Sequence, residues 1–292
     1  AGSGNALAKS LADLAGEPLD PTGAALAVAR GGVHPLDVLV LSQGPGPDAP
    51  RFHCAVSFEW GMVADLDIES ERLRWLGGAR FTAQALVRMV HLRRYPGRLM
   101  WLPADEGEPG SGVTLDVHGD ARNSASNQLL SRGVEVKDVH DVAGREGWKE
   151  VEGDFVAVWG VNVKWAAEDT KPAPLAELND GCIDMVVMRN CSRWDVLQVF
   201  LAIDTGKHVN MNSCEYFKAR AFRLEPNPEG CKGMGSYHVA DGEMLARGPK
   251  AVDGATKKTL PMEYGPIEAK VNAGMATVFC SKAIQGCNPL PI

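Results

Sequence analysis

The stretch YFKARAFRL, Tyr216 to Leu224, decides the fold class. Lys218 and Arg220 alternate with Phe217, Ala219 and Ala221, so charged and apolar side chains fall on opposite sides of an extended backbone. Period two marks a strand with one buried face and one wet face. Working outward, strand-like runs occupy 36–42, 51–58, 98–102, 154–163, 182–189, 216–225, 236–240 and 268–280. Two helices interrupt them. One spans about 80–94, with Phe81, Ala85, Met89 and Leu92 on one face. The other spans about 193–205, opened by Ser192 with Asp195 three residues on and closed by Gly206.

Upstream, GSGNALAKSLADLAG reads as a Gly-rich turn running into an amphipathic helix, with Leu7, Leu11 and Leu14 on one face and Gly16 as its stop. Residues 21–31 read as a second helix. Residues 103–150 are polar, rich in Gly and Ser and poor in aromatics, so burial there cannot repay the entropy of ordering. They read as a long flexible insertion between two strands. The expected architecture is α+β. An α/β remnant covers 1–35, a mainly antiparallel β-sandwich domain with two inserted helices covers 36–280, and a tail covers 281–292.

The chain has 292 residues, 45% of them hydrophobic and 23% charged, with a formal charge of −7. That balance argues against nucleic acid as the main partner. The seven cysteines are scattered without a C-x-x-C pair, which disfavours a zinc site or a disulfide framework and points to a reducing cytosol. No apolar run approaches the roughly 20 residues of a membrane-spanning helix. No signal peptide is legible. The chain opens AGSGN without Met and reads as the C-terminal part of something longer.

Charge is patterned most sharply in ADLDIESERLRWLGGARF, Ala64 to Phe81. Asp65, Asp67, Glu69 and Glu71 precede Arg72, Arg74 and Arg80, the last beyond a Gly77-Gly78 break. From Arg72 to Arg98 there are seven arginines and no acid, an island suited to phosphate or an anionic surface, or to a solvated helix face. Arg74 and Arg80 could converge on one phosphate across the glycine bend. Asp67 follows apolar residues that could line a pocket, or it is simply a helix-start carboxylate. Gly2-Ser3-Gly4-Asn5 could offer backbone N–H groups and a helix N-terminus to an anion, or be an ordinary turn. Asp241-Gly242-Glu243 could face a metal–nucleotide complex or form a plain type I turn. His208 reads as structural or pocket-lining. No G-x-S-x-G and no Cys–His pairing supports a hydrolase.

Taken in order, GSGNALAKSL, WGMVADLDIESERLRWLGGARFTAQALVRMVHLRRYPGRLMWLP, CIDMVVMRNCSRWDVLQVFLAIDTGKHV, KARAFRLEP and VADGEMLARG resemble the sphingosine kinases. These belong to the lipid-kinase superfamily with the diacylglycerol and ceramide kinases, and DGEMLARG is nearest the plant-type spelling. The resemblance implies ATP-dependent phosphorylation of the primary hydroxyl of a long-chain amino alcohol, in a cleft between a nucleotide-binding α/β domain and a β domain. It implies that Gly2, Ser3, Gly4 and Asn5 lie beside ATP and that Arg74 and Arg80 hold its phosphates. Asp67 would bind the amino-diol head with Ser57 beside it. Asp241, Gly242 and Glu243 would lie on the nucleotide–Mg2+ side. Met62, Val63, Leu66, Phe81, Val199, Phe200, Ile203 and His208 would take the lipid tail. A transient membrane contact, through the helix ending HLRRYPGR, and a cytoplasmic, peripherally membrane-associated location follow from the substrate.

Two departures from the family pattern stand out. Its Gly-Asp-Gly segment, carrying the general base, is absent from these residues, so they alone are expected not to phosphorylate sphingosine at a useful rate. Glu59 stands where the family has a small or neutral residue. The competing readings are a ceramide or diacylglycerol kinase, and a non-catalytic lipid-binding module.

Overall fold

A computed structural model describes residues 5–44, 46, 48–77, 79–104, 140–141, 144–227, 235–249, 251 and 259–281. Gly2, Ser3, Gly4, Gly78, most of the expected insertion and the tail from 282 lie outside this set.

The chain begins with two helices, α1 (Ala6–Ala15) and α2 (Pro21–Arg30). Gly16 ends α1 with φ 68°. Pro21 starts α2, where its missing N–H costs nothing, and the Asp20 carboxylate accepts from the Gly23 N–H at 2.8 Å. Leu7, Leu11 and Leu14 pack on Leu36, Val163 and Leu178.

The strands are β1 (Val33–Ser42), β2 (Arg51–Cys54), β3 (Ser57–Gly61), β4 (Tyr95–Pro103), β5 (His140–Asp141), β6 (Lys149–Val161), β7 (Ile183–Arg189), β8 (Glu215–Pro226), β9 (Tyr237–Ala240), β10 (Glu243–Arg247) and β11 (Ile267–Phe279). Among the described residues every pairing between them is antiparallel, in the order β10-β9-β3-β6-β4-β8-β11-β1-β2, with β7 bridging β6 and β8. β6 pairs with β4 over Lys149–Phe155 and with β7 over Phe155–Val161. β8 likewise pairs with β7 at its start and β4 further on, so four strands close on themselves. Phe58, Trp60, Tyr95, Leu99, Phe155, Ile183, Phe222 and Leu224 fill one core. A second core lies under the helices, where Val156, Trp159, Val186 and Met188 meet Met62, Ala85, Met89 and Val196.

Those helices are α3 (Met62–Ser70), continued by a 3-10 turn at Glu71–Leu76, then α4 (Ala79–Val90) and α5 (Arg193–Ala202). The Ser192–Asp195 capping box forms as the sequence indicates. α5 ends at Ala202 rather than near 205, and Gly206 instead starts a short 3-10 turn at Lys207–Asn210. The α+β class is as expected.

Several expectations are corrected. The run 51–58 is two strands broken at Ala55-Val56. α3 and β10 appear where neither was read, and β6 begins at Lys149, inside the expected insertion. β3 passes into α3 with no loop, through Gly61 at φ 80°. A Cβ there would sit 2.7 Å from the Val156 carbonyl oxygen, so only glycine makes the switch. Asp241 and Gly242 both have positive φ, 51° and 79°, as in the two-residue type I′ hairpin that Asp-Gly favours, not a type I turn.

Candidate functional site

Between the helices and the β6–β7 face lies a cavity of about 870 Å3. Its apolar lining includes Met62, Val63, Leu66, Phe81, Val199, Phe200 and Ile203, joined by Trp159, Val186, Met188 and Val196. Its polar lining includes Asn5, Ser57, Glu59, Asp67, Glu71, Arg74, Arg80, Asp241 and Gly242. His208 lines it too, fully buried, with Nε2 on the Pro172 carbonyl at 2.9 Å and Nδ1 without a partner. Burial holds that imidazole below its usual pKa, hence neutral. Glu243 is not among the lining residues.

Asp67 sits on α3, nearly two turns past Gly61, and a Cβ on Gly242 would lie 3.9 Å from its carboxylate. Among the described residues it makes no side-chain hydrogen bond or ion pair. Burial raises its pKa to about 6, opposed by the nearby Arg80 guanidinium and reinforced by Glu71 and Glu243. An unsatisfied carboxylate in an apolar-lined cavity suits a cationic ligand group.

The arginine island has a different fate from either reading of the sequence. Arg88 pairs with Glu69 and lies 3.5 Å from Asp65, while Arg93 reaches Asp65 at 3.0 Å and Glu69 at 3.4 Å. Tyr95 and Ser236 also donate to Asp65, at 2.5 and 2.9 Å. Alternate acids of α3 thus point away from the cavity and neutralise the C-terminal arginines of the island from inside. Arg98 pairs with Glu152 at 3.3 Å at the surface. Only Arg74 and Arg80 line the cavity, and Glu71 pairs with both. Sequence reasoning did not assign Glu71 this role, although its spacing of three from Arg74 is the signal for such a pair.

The Asp241 carboxylate accepts from the backbone N–H groups of Ala55, Val56 and Ser57 at 2.8, 2.8 and 3.1 Å and from the Cys54 thiol at 3.1 Å. It binds the break between β2 and β3 and fixes Ser57 in place. No group of three or more His, Cys, Asp or Glu among the described residues could hold a metal ion. The residues present therefore do not fit a magnesium site by themselves, and Asp241 has its acceptor capacity taken up.

Residues 132–263 match the family described as the YegS C-terminal NAD kinase beta sandwich-like domain. A solved structure of a candidate diacylglycerol kinase from Bacillus anthracis str. Sterne superposes with a TM-score of 0.55 over 96% of this chain and 66% of the other, at 13% identity, which speaks for the fold alone. Residues 132–263 thus have the fold of that β-sandwich-like domain. The chain is 37% identical over 281 residues to Sphingosine kinase 1 of Arabidopsis thaliana, covering 96% of this chain and 56% of that protein. Identity to Sphingosine kinase 1 of Homo sapiens is 34% over 260 residues, 84% of this chain and 62% of that protein. The chain is a homologue of the sphingosine kinases and spans a little over half the length of the Arabidopsis relatives it matches.

Proposed function

We propose that this chain supplies the lipid pocket and part of the nucleotide-phosphate site of an ATP-dependent kinase acting on the primary hydroxyl of sphingosine or a related long-chain base. One observation carries the reading. A single cavity joins a carboxylate, Asp67, to two guanidiniums, Arg74 and Arg80, and to an apolar lining on which an alkyl tail could rest.

Asp67 holds the ammonium and thereby places the hydroxyl, with Ser57 beside the head group. ATP supplies the γ-phosphoryl group. Arg74 and Arg80 would hold its phosphates, exchanging Glu71 for the nucleotide, and such positioning and charge neutralisation are the main sources of rate in phosphoryl transfer. Asp241, with Gly242, keeps the β2–β3 junction in shape; Mg2+ enters with the nucleotide rather than through these carboxylates. Helices α1 and α2 would close an α/β nucleotide-binding layer, with Asn5 nearest ATP. The general base would come from the family's Gly-Asp-Gly segment.

Membrane contact is part of the same proposal, because the substrate is a bilayer lipid. Leu86, Val87 and Val90 on α4 and Trp194 and Leu201 on the neighbouring α5 expose apolar side chains beside the cavity helices. That surface supports peripheral membrane contact, and the cytoplasmic location is part of the proposal. The full-length protein, given ATP and magnesium, is expected to phosphorylate sphingosine in preference to ceramide or diacylglycerol. Preference for a neutral lipid, or binding without turnover of any of the three, overturns the reading.

A further inference from the structure

Glu59 is a buried acid of the cavity that the proposed reaction leaves without a task. It sits in the middle of β3, only 8% exposed, with Val239 and Trp159 as its register partners on either side. The Ser57 hydroxyl donates to its Oε1 at 3.1 Å. Both residues line the cavity that Asp67 enters from α3. Strand β3 therefore presents a second acid to the same space.

A buried carboxyl with one hydroxyl donor is under-satisfied, since a carboxylate has room for about four. Trp159 adds a second unsatisfied group. Its indole is buried in the cavity lining, near enough to favour the charged form of Glu59, yet Nε1 makes no hydrogen bond of normal geometry. Glu59 and Trp159 thus leave hydrogen-bonding capacity that a polar guest could use.

Resting on the long-chain-base reading, we propose that Glu59 is a specificity-determining residue: with Asp67 it forms a two-carboxyl clamp, one acid on a strand and one on a helix, that selects a primary ammonium and sheds a proton when the cation binds. A primary ammonium brings three donors, enough for both acids and one further acceptor. An N-acylated head group brings no charge and would leave two buried acids facing each other.

The proton follows from the surroundings of the pair. Glu59 faces Asp67 from α3, Asp241 from the β9–β10 turn, and the neutral Ser57 and Trp159. Asp67 in turn faces Arg80, Glu71 and Glu243. Burial and then the charge on Asp67 push the Glu59 carboxyl well above its usual range, so the empty pocket favours a proton held by the pair. An arriving ammonium reverses the balance, and the pair gives its proton to solvent. Affinity for the amine then climbs with pH as the pair ionises, until the amine itself loses its proton.

The test is calorimetric binding of a short-chain, water-soluble 2-amino-1,3-diol to the full-length protein and to E59Q, in two buffers of different ionisation enthalpy. Kinetics with sphingosine run alongside. Wild type is expected to release protons on binding. E59Q is expected to release markedly fewer, to bind the amine roughly tenfold more weakly, as one lost charge-assisted contact implies, and to keep its KM for ATP. Its discrimination against an N-acylated analogue should narrow. Binding by wild type with no proton release, or E59Q indistinguishable from wild type, overturns the clamp and leaves the kinase reading standing. Failure of wild type to bind the amine overturns both. Proton release is read on the unaltered protein, so the test survives a variant that does not fold.

Discussion

Arg88 on α4 and Glu69 on α3 form an ion pair with both side chains more than nine-tenths buried, 7% and 4% exposed. This pair joins the two helices that carry Asp67 and Arg80, so the distance between the ends of the cavity depends on it. Removing Arg88 leaves the buried Glu69 with only Arg93, at 3.4 Å, and the Gln84 amide, at 2.8 Å, to compensate it. R88A is expected to cost about 3–5 kcal/mol, read as a shift in urea midpoint. R74A breaks a pair whose arginine is 76% exposed and should leave the midpoint within error.

The two cavity arginines should separate kinetically. Both are expected to raise KM for ATP at least several-fold when changed to alanine, with KM for the lipid little altered. R80A should also lower stability, because Arg80 is buried against Glu71 and Phe81, whereas R74A should not. An unchanged ATP KM in both variants would remove them from the phosphate site.

For Asp67, activity and stability are expected to move in opposite directions. Its pKa of about 6 lies above the ordinary carboxylate value, so folding favours the protonated form and ionisation costs stability as pH rises through that value. D67N should therefore be no less stable than wild type above pH 6, by thermal melts at two pH values. Its kcat/KM for sphingosine should fall sharply at neutral pH. The acid limb of the wild-type profile, where the charge is lost as pH drops through about 6, should disappear.

D241N keeps a residue that tolerates positive φ but replaces one charged oxygen that accepts two backbone N–H groups. A loss of about 1–3 kcal/mol is expected. The lipid KM should rise because Ser57 loses its anchor, and the ATP KM should not. A rise confined to ATP would return Asp241 to the nucleotide side.

Much of the fold was legible because the two periods are unambiguous where one face is wet. Lys218 and Arg220 give β8 away, and Ser192 with Asp195 gives the start of α5. α3 was harder. Ala64, Asp65, Ile68, Glu69 and Ser70 are all buried, so the helix has no polar face to read. Its acids invite a surface assignment when four of its polar positions in fact look inward or into the cavity. The break at Ala55-Val56 was hidden for another reason: the Asp241 carboxylate that stabilises it is contributed from the far side of the sequence. At the site, the resemblance named Ser57, Asp67, Arg74, Arg80 and part of the apolar lining, but not Glu71, Trp159, Val186, Met188 or Val196. Pairing is what neither spacing nor resemblance displayed, since which arginine meets which acid depends on how α3 and α4 cross.

Gly61 lets a strand become a helix without a loop, and so Ser57, Glu59 and Asp67 are threaded on one uninterrupted ribbon of backbone. On the proposed function, recognition of the lipid head would then travel as a single cassette. Exchanging Ser57–Asp67 between related chains, with no other change, should carry head-group preference from donor to recipient like a replaceable tool bit.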